Sequence, residues 1–356
     1  MTPAHRRVTL MLTTPGWRGS GISFLKIAAG LAHRGHEVRF IAGDAHVAGQ
    51  LVAAGLPVDL VPTGDTGRRE VGAVRQLFAA HAPDVVICDA PRDVRIARYA
   101  SFPSRRAIVW RYNLHGRRLA TDVLQRWLFG GVSHIVHQSR YSAARLQVDS
   151  PWLQRRPTSC IANGFDLDRI RPDAQRSEAF RAQHAVRTTL VITPTGAAPE
   201  KAVAVAYEAV RRLAALQPVT WAVAADVPPH DDSSLRVLAL GSMPTAALHE
   251  MVSAADLVLL PAPGELFNNV AAESMALGAL VVGANSGATP EVVGDAGVLF
   301  RADDPADAVL VMQQLLGDPS RRAVLRVAAR QRIAEHYPLE KMQDGFERLV
   351  RQLTLP

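Results

Sequence analysis

Short apolar runs of valine, isoleucine and leucine alternate along this chain with stretches of helical periodicity, and the alternation runs through twice. In the first pass, residues 8–12, 38–42, 58–61, 84–88, 107–111 and 135–137 read as strands. Residues 22–33 read as a helix with Ile22, Leu25, Ala29 and Ala32 near one face and Gly35 as its stop, 50–54 as a short helix, and 71–81 as a helix ended by Pro83. After Asp168 the pattern restarts, with strands at 189–193, 220–224, 237–239, 257–260 and 279–283 and helices at 202–216, 245–254 and 270–277. Strands that alternate with helices imply a parallel sheet covered on both faces. The fold class expected is therefore α/β, and 356 residues are too many for one ordinary core, so two doubly wound, Rossmann-like domains are expected. The division read from the sequence is a domain at 1–165, a charged hinge at 166–187 that holds Pro172, a second domain at 188–333, and a C-terminal helix in 334–356 packing back toward the first domain. Beyond Pro305 no strand signal remains, and 306–316, 320–335 and 339–353 all read as helix. Two such domains would leave a cleft between the carboxyl ends of their sheets, where ligands of open α/β folds bind.

Composition excludes several classes. No apolar run reaches the roughly 18 residues of a membrane span. The run at 8–12 is too short for a signal-peptide core and reads as a buried strand. Cys88 and Cys160 show neither ligand spacing nor a disulfide framework, which fits a reduced, cytoplasmic protein. The net charge is uneven: residues 1–165 hold 22 Lys/Arg against 10 Asp/Glu, whereas 166–356 hold 18 against 23. Arg95, Arg98, Arg105, Arg106, Arg111, Arg117, Arg118 and Arg126 lie close in sequence. A solvated arginine-rich face accounts for them, and so does a surface for an anionic acceptor or for peripheral contact with anionic lipid at the inner membrane face. No recognition motif for nucleic acid accompanies the charge.

The densest stretch for chemistry is Glu265-Leu266-Phe267-Asn268-Asn269-Val270-Ala271-Ala272-Glu273. Pro261 and Pro263 end a strand before it, and Asn268 or Asn269 can cap the helix that follows. Free N–H groups at such a helix start bind phosphate or polarised hydroxyls. Glu265 is expected in the loop and Glu273 in about the first turn, where each could take a pair of sugar hydroxyls. On spacing alone a solvated Glu265 and a Glu273 that offsets the helix dipole explain the pair better, since two glutamates eight residues apart are common. Lys201 follows a strand, a turn at 194–199 and Glu200, at a helix start suited to gripping a diphosphate. No His/Cys ligand spacing points to a metal.

These residues resemble the donor-site signature of family 4 glycosyltransferases, which have the GT-B fold. In that signature a Glu precedes Phe-Gly or Phe-Asn, and a second Glu stands eight residues after the first. Ala-Met-Ala-x-Gly, a strand and Gly-Gly-x-Pro-Glu follow. Here the later pieces read Glu273-Ser274-Met275-Ala276-Leu277-Gly278, Val281-Val282 and Ser286-Gly287-Ala288-Thr289-Pro290-Glu291. Asn163-Gly164-Phe165-Asp166 is similar to the family's domain junction, and Arg34-Gly35-His36-Glu37-Val38 to its usual helix-to-strand turn.

The resemblance implies a retaining, metal-independent glycosyltransferase without a cofactor, whose substrate is a UDP- or GDP-linked sugar and whose acceptor is a small molecule, glycan or lipid. It makes 1–165 the acceptor domain and 188–333 the donor domain. It gives Glu265 to the transferred sugar, Glu273 to the ribose, and the N–H groups of Asn268, Asn269 and Val270 to the donor. Lys201 matches the Lys of the family's Arg-x4-Lys pair, but Gly196 stands at the Arg position. Gly19-Ser20-Gly21 resembles a phosphate-approaching glycine loop, His115 a histidine near the anomeric centre, Ser139 a serine at a strand end, and Met243 part of the loop around the base. The alternatives are an epimerase or phosphorylase of the same fold, and a non-catalytic nucleotide-sugar-binding protein or scaffold.

Overall fold

The computed structural model describes residues 5–17, 19–61, 67–104, 106–114, 118–194, 200–225 and 234–354. The chain forms two compact units, one of Met1–Gly164 with Leu339–Pro356 and the other of Phe165–Pro338.

The first unit holds a sheet of β1 (Arg7–Leu12), β2 (Glu37–Ala42), β3 (Val58–Leu60), β4 (Val85–Cys88), β5 (Ala107–Arg111), β6 (His134–His137) and β7 (Thr158–Cys160). Its order is β3-β2-β1-β4-β5-β6-β7, with parallel pairing throughout. The crossovers are α1 (Gly19–His33), α2 (Ala45–Ala53), α3 (Arg68–His81), α4 (Pro91–Ser101), α5 (Val123–Gly130) and α6 (Arg140–Asp149). β4 is buried at all four positions, as a central strand covered on both faces must be.

The second unit repeats the plan with β8 (Thr189–Thr193), β9 (Val219–Val223), β10 (Leu235–Ala239), β11 (Leu257–Leu260), β12 (Val281–Ala284) and β13 (Val298–Phe300). The order is β10-β9-β8-β11-β12-β13, again parallel. Its helices are α7 (Ala174–Gln183), α8 (Glu200–Ala214), α9 (Thr245–Ser253), α10 (Asn269–Ala276), α11 (Thr289–Val293), α12 (Pro305–Leu316) and α13 (Pro319–His336). The segment read as a hinge thus contains a helix, α7, whose only buried residue is Phe180.

The last helix, α14 (Leu339–Leu353), packs in the first unit, where Met342, Phe346, Leu349 and Val350 join Phe24, Ile27 and Leu31 in one core. Gly30 lets the two helices approach: a Cβ there would sit 2.4 Å from the Gln343 side chain. The buried His36 ring bonds the Glu347 carboxylate, and Arg34 bonds Asp344. The helix-to-strand turn at 34–36 therefore holds the C-terminal helix in place.

Candidate functional site

In each sheet the strand order reverses between two neighbours, β1 and β4 in one unit and β8 and β11 in the other. Ligands of such folds bind beyond the carboxyl ends of those strands. In the second unit the segments leaving them are 194–200 and 261–268. The second is fully described, while 195–199, including Gly196, lie outside the described residues.

Glu265 lies in the segment leaving β11, and its backbone is braced by the loop after β12. The Ala288 N–H donates to the Glu265 carbonyl at 2.8 Å, and the Gly264 N–H to Ser286 Oγ at 3.2 Å. Gly287 lies so close that a Cβ would stand 2.6 Å from the Glu265 nitrogen, and its φ of 64° is in the left-handed region. The Glu265 carboxylate is only partly exposed and has no hydrogen-bond or ion-pair partner among the described residues. Burial raises its pKa above the ordinary 4.5.

Asn268 is the N-cap of α10. Its Oδ1 accepts the Ala271 N–H at 2.9 Å, and its Nδ2 donates to the buried Thr289 hydroxyl at 3.0 Å. Of the N–H groups expected to face a ligand, that of Asn269 already donates to the Phe267 carbonyl at 3.0 Å. Those of Asn268 and Val270 have no partner among the described residues. Because α10 begins at Asn269, Glu273 is its fifth residue and sits in the second turn, not the first. Glu273 Oε2 lies 3.5 Å from His249 Nε2 on α9. Met243 lies in the loop before α9, between Gly241 and the capping Pro244, so the same short helix joins this loop to Glu273.

Other expected residues are placed differently. Lys201, in the first turn of α8, pairs its exposed ammonium with Asp303 at 2.6 Å. Gly19, Ser20 and Gly21 are not a loop but the first turn of α1. The Trp17 ring covers Gly21 so closely that a Cβ there would be 2.9 Å from it, and the helix starts three residues before the expected Ile22. Ser139 is buried and caps α6 by accepting the Ser142 N–H. His115 lies outside the described residues, as do Arg105 and Arg117. Arg111 does not belong to a surface cluster: it is 4% exposed. Among the described residues no group of His, Cys, Asp and Glu could hold a metal ion, and no helix is long and apolar enough to cross a membrane.

Two family profiles match the chain, "Glycosyl transferase 4-like domain" over residues 18–164 and "Glycosyl transferases group 1" over 188–318. The chain belongs to the GT-B glycosyltransferases of the family 4 type. D-inositol 3-phosphate glycosyltransferase from Thermomonospora curvata is 41% identical over 88 residues, which are 24% of this chain and 20% of that protein. The enzyme of the same name from Rhodococcus jostii is 28% identical over 227 residues, 55% of this chain and 47% of its own length. The matched region therefore spans less than half of these curated relatives. The crystal structure of HepE from Anabaena in complex with UDP and glucose shares the fold, with a TM-score of 0.81 at 18% identity over 98% of this chain and 100% of that one.

The first unit of this glycosyltransferase has a second polar cluster at its own strand reversal, which the sequence reading missed. Asp93 is fully buried and accepts from the Thr13 N–H at 3.1 Å, from the Thr13 hydroxyl, and from the Ala90 N–H at 2.9 Å. Burial drives its pKa up to about 7, against the opposing pull of the Thr13 bond. Arg111, at the end of β5, lies 3.6 Å from Asp89 and donates to Asn163 at 2.7 Å. The available signal was positional: Asp89 and Arg111 stand where apolar strands end. His249 left no such signal, because only tertiary packing brings it to Glu273.

Proposed function

We propose that this glycosyltransferase moves a sugar from a nucleoside-diphosphate donor to an acceptor with retention of anomeric configuration. The Glu265 carboxylate carries the reading. A half-buried carboxylate without a protein partner is partly desolvated at a cost to the folded protein, and a ligand that offers hydrogen-bond donors relieves it. Adjacent sugar hydroxyls are such donors. Glu273 would take the ribose hydroxyls with His249 beside it, and the free N–H groups of Asn268 and Val270 would face the donor at the positive end of α10. Lys201 would exchange Asp303 for the diphosphate, an inexpensive change for an exposed ion pair.

In this reading the second unit holds the donor, a UDP- or GDP-sugar, and the first unit holds an acceptor of small-molecule, glycan or lipid class. His115, by the family likeness, would be the histidine near the anomeric carbon. With Gly196 at the family's arginine position, Lys201 and the helix N-terminus would carry the leaving-group charge. The diphosphate would leave while the acceptor attacks from the same face, so catalysis rests on orientation and on fixed positive potential. The reading needs no cofactor and no resident metal, and it places the protein in the cytoplasm.

Calorimetry with UDP and GDP tests it. Binding that weakens about tenfold or more in Glu273→Ala is expected, from loss of a charged hydrogen-bond acceptor. Absence of binding at millimolar nucleotide, or unchanged affinity in that variant, would overturn the donor site. Mass spectrometry of products from a sugar-nucleotide panel then separates transfer from hydrolysis or epimerisation.

A further inference from the structure

The outer face of α5 is apolar yet exposed: Val123 is 84% accessible, Leu124 51% and Trp127 37%. The inner face is not at fault, since Leu128 and Phe129 are buried and Phe129 packs edge-on against Trp110. The patch continues onto the end of α4, where Phe102 is 55% exposed and packs edge-on against Trp127 and Tyr99 packs against the same ring at a tilt, with centroids at 5.9 and 5.6 Å. Aromatic rings clustered at an accessible face suit a boundary that is apolar on one side and wet on the other.

The described charges on and beside this patch are mostly basic: Arg98, Arg126 and Arg156, against one acidic residue on the flank of the helix, Asp122. Asp122 is occupied as the N-cap of α5, accepting the Gln125 N–H at 2.9 Å. Arg98 stacks over the Trp127 ring at 4.6 Å, Arg126 is exposed on α5 itself, and the Arg156 guanidinium lies beside Gly130 at the helix's end. Cations beside exposed aliphatic and aromatic side chains, on a helix lying flat on its domain, combine the two forces that bind interfacial helices to anionic bilayers.

We propose that the outer face of α5, with Phe102 and the flanking arginines, docks this protein on an anionic lipid surface. The occupant follows from the charge: a second copy would bring the same arginines against one another, whereas anionic headgroups complement them. The inference uses only the first unit and does not depend on the donor site.

The test is co-sedimentation of the full chain with phosphatidylcholine vesicles, with and without 30% phosphatidylglycerol as an order-of-magnitude anionic content (about 30%). Binding to the mixed vesicles is expected, at least about tenfold weaker on neutral vesicles and at about 0.5 M salt. The double variant Val123→Asp/Leu124→Asp changes only exposed positions and should lose binding about tenfold or more while keeping its circular dichroism and melting temperature. A second variant, Arg126→Glu, reports the charge term separately. Equal binding to neutral vesicles, wild-type binding by the double variant, or no binding at all overturns the proposal. So does a dimer in sedimentation velocity that the double variant converts to monomer, which would make the patch a protein interface.

Discussion

Replacing Gly287 by alanine isolates the brace behind Glu265. Two terms oppose the new side chain. Its φ of 64° places an L-residue in the left-handed region, which costs about 1–2 kcal/mol. Its Cβ would also stand 2.6 Å from the Glu265 nitrogen and 2.7 Å from the Glu265 oxygen. Both are backbone atoms and cannot rotate away, so the two loops must part by several tenths of an ångström, an overpacking cost of about 1–3 kcal/mol. Gly264→Ala is the matched control, because Gly264 has φ 75° but nothing within 4 Å of the added atom, in the same unit and next to the same glutamate. Urea unfolding should therefore give about 1–2 kcal/mol for Gly264→Ala and about 2–5 for Gly287→Ala. Because the shift moves Glu265, donor turnover by Gly287→Ala should fall toward about a hundredfold, the scale of a misplacement approaching 1 Å. Equal destabilisation by the two variants would refute the steric argument. A Gly287→Ala protein that is destabilised but turns over donor normally would refute the link to Glu265.

Three further outcomes follow from the same geometry. Asn268→Ala removes the α10 cap, about 1 kcal/mol, and leaves the fully buried Thr289 hydroxyl without its bond, about 1 more, so denaturant unfolding should show a loss near 2 kcal/mol. Asn268→Asp keeps the cap and should lose less than half of that in the same measurement. Glu265 binds its proton more tightly folded than unfolded, so its contribution to stability is present at acid pH and is lost as pH rises from the unfolded value of 4.5 through its raised folded value. Glu265→Gln should thus be more stable than the parent above that window and equal to it below, while losing donor affinity; a pH series of melting curves with calorimetry checks both. Asp303→Asn frees Lys201 from an exposed pair, so melting should show a stability change under about 1 kcal/mol and nucleotide calorimetry an unchanged or tighter affinity.

The alternation of apolar runs with helical periods was enough to read the inner strands of both sheets, because each holds an apolar run and is four to six residues long. What escaped lies at their margins. β7 is Thr158-Ser159-Cys160 on a sheet edge and has no apolar run to show, while β13, Val298–Phe300, is apolar but only three residues long, on an edge of the other sheet. α4 did carry start signals, Pro91 at its first position and Asp93 folding back on the Ala90 N–H, but its apolar face is interrupted by arginines. The start of α1 was misread because two glycines argue for a loop. The structure has helix there, with the Trp17 ring packed over Gly21, a contact no local pattern shows.

The two glutamates eight residues apart illustrate the limit more sharply. In sequence they are equivalent carboxylates on either side of a cap. In the fold they differ because their neighbours come from elsewhere: Glu273 gains His249 from α9, whereas Glu265 gains only backbone support from the loop at 286–288 and no partner for its charge. A partly desolvated carboxylate opposes the stability of the protein, while the loop contacts hold its backbone in place. Such local conflict between folding and placement is expected where a side chain serves a ligand, not the fold. The same comparison explains why Asn268 stands at the cap where the family often has glycine. Asparagine supplies both the cap and a bond to Thr289, the first residue of α11 beyond the supporting loop. One side chain thereby ties the start of α10 to the segment that braces Glu265, so the spacing between the unpartnered carboxylate and the free N–H of Val270 is fixed before any ligand arrives.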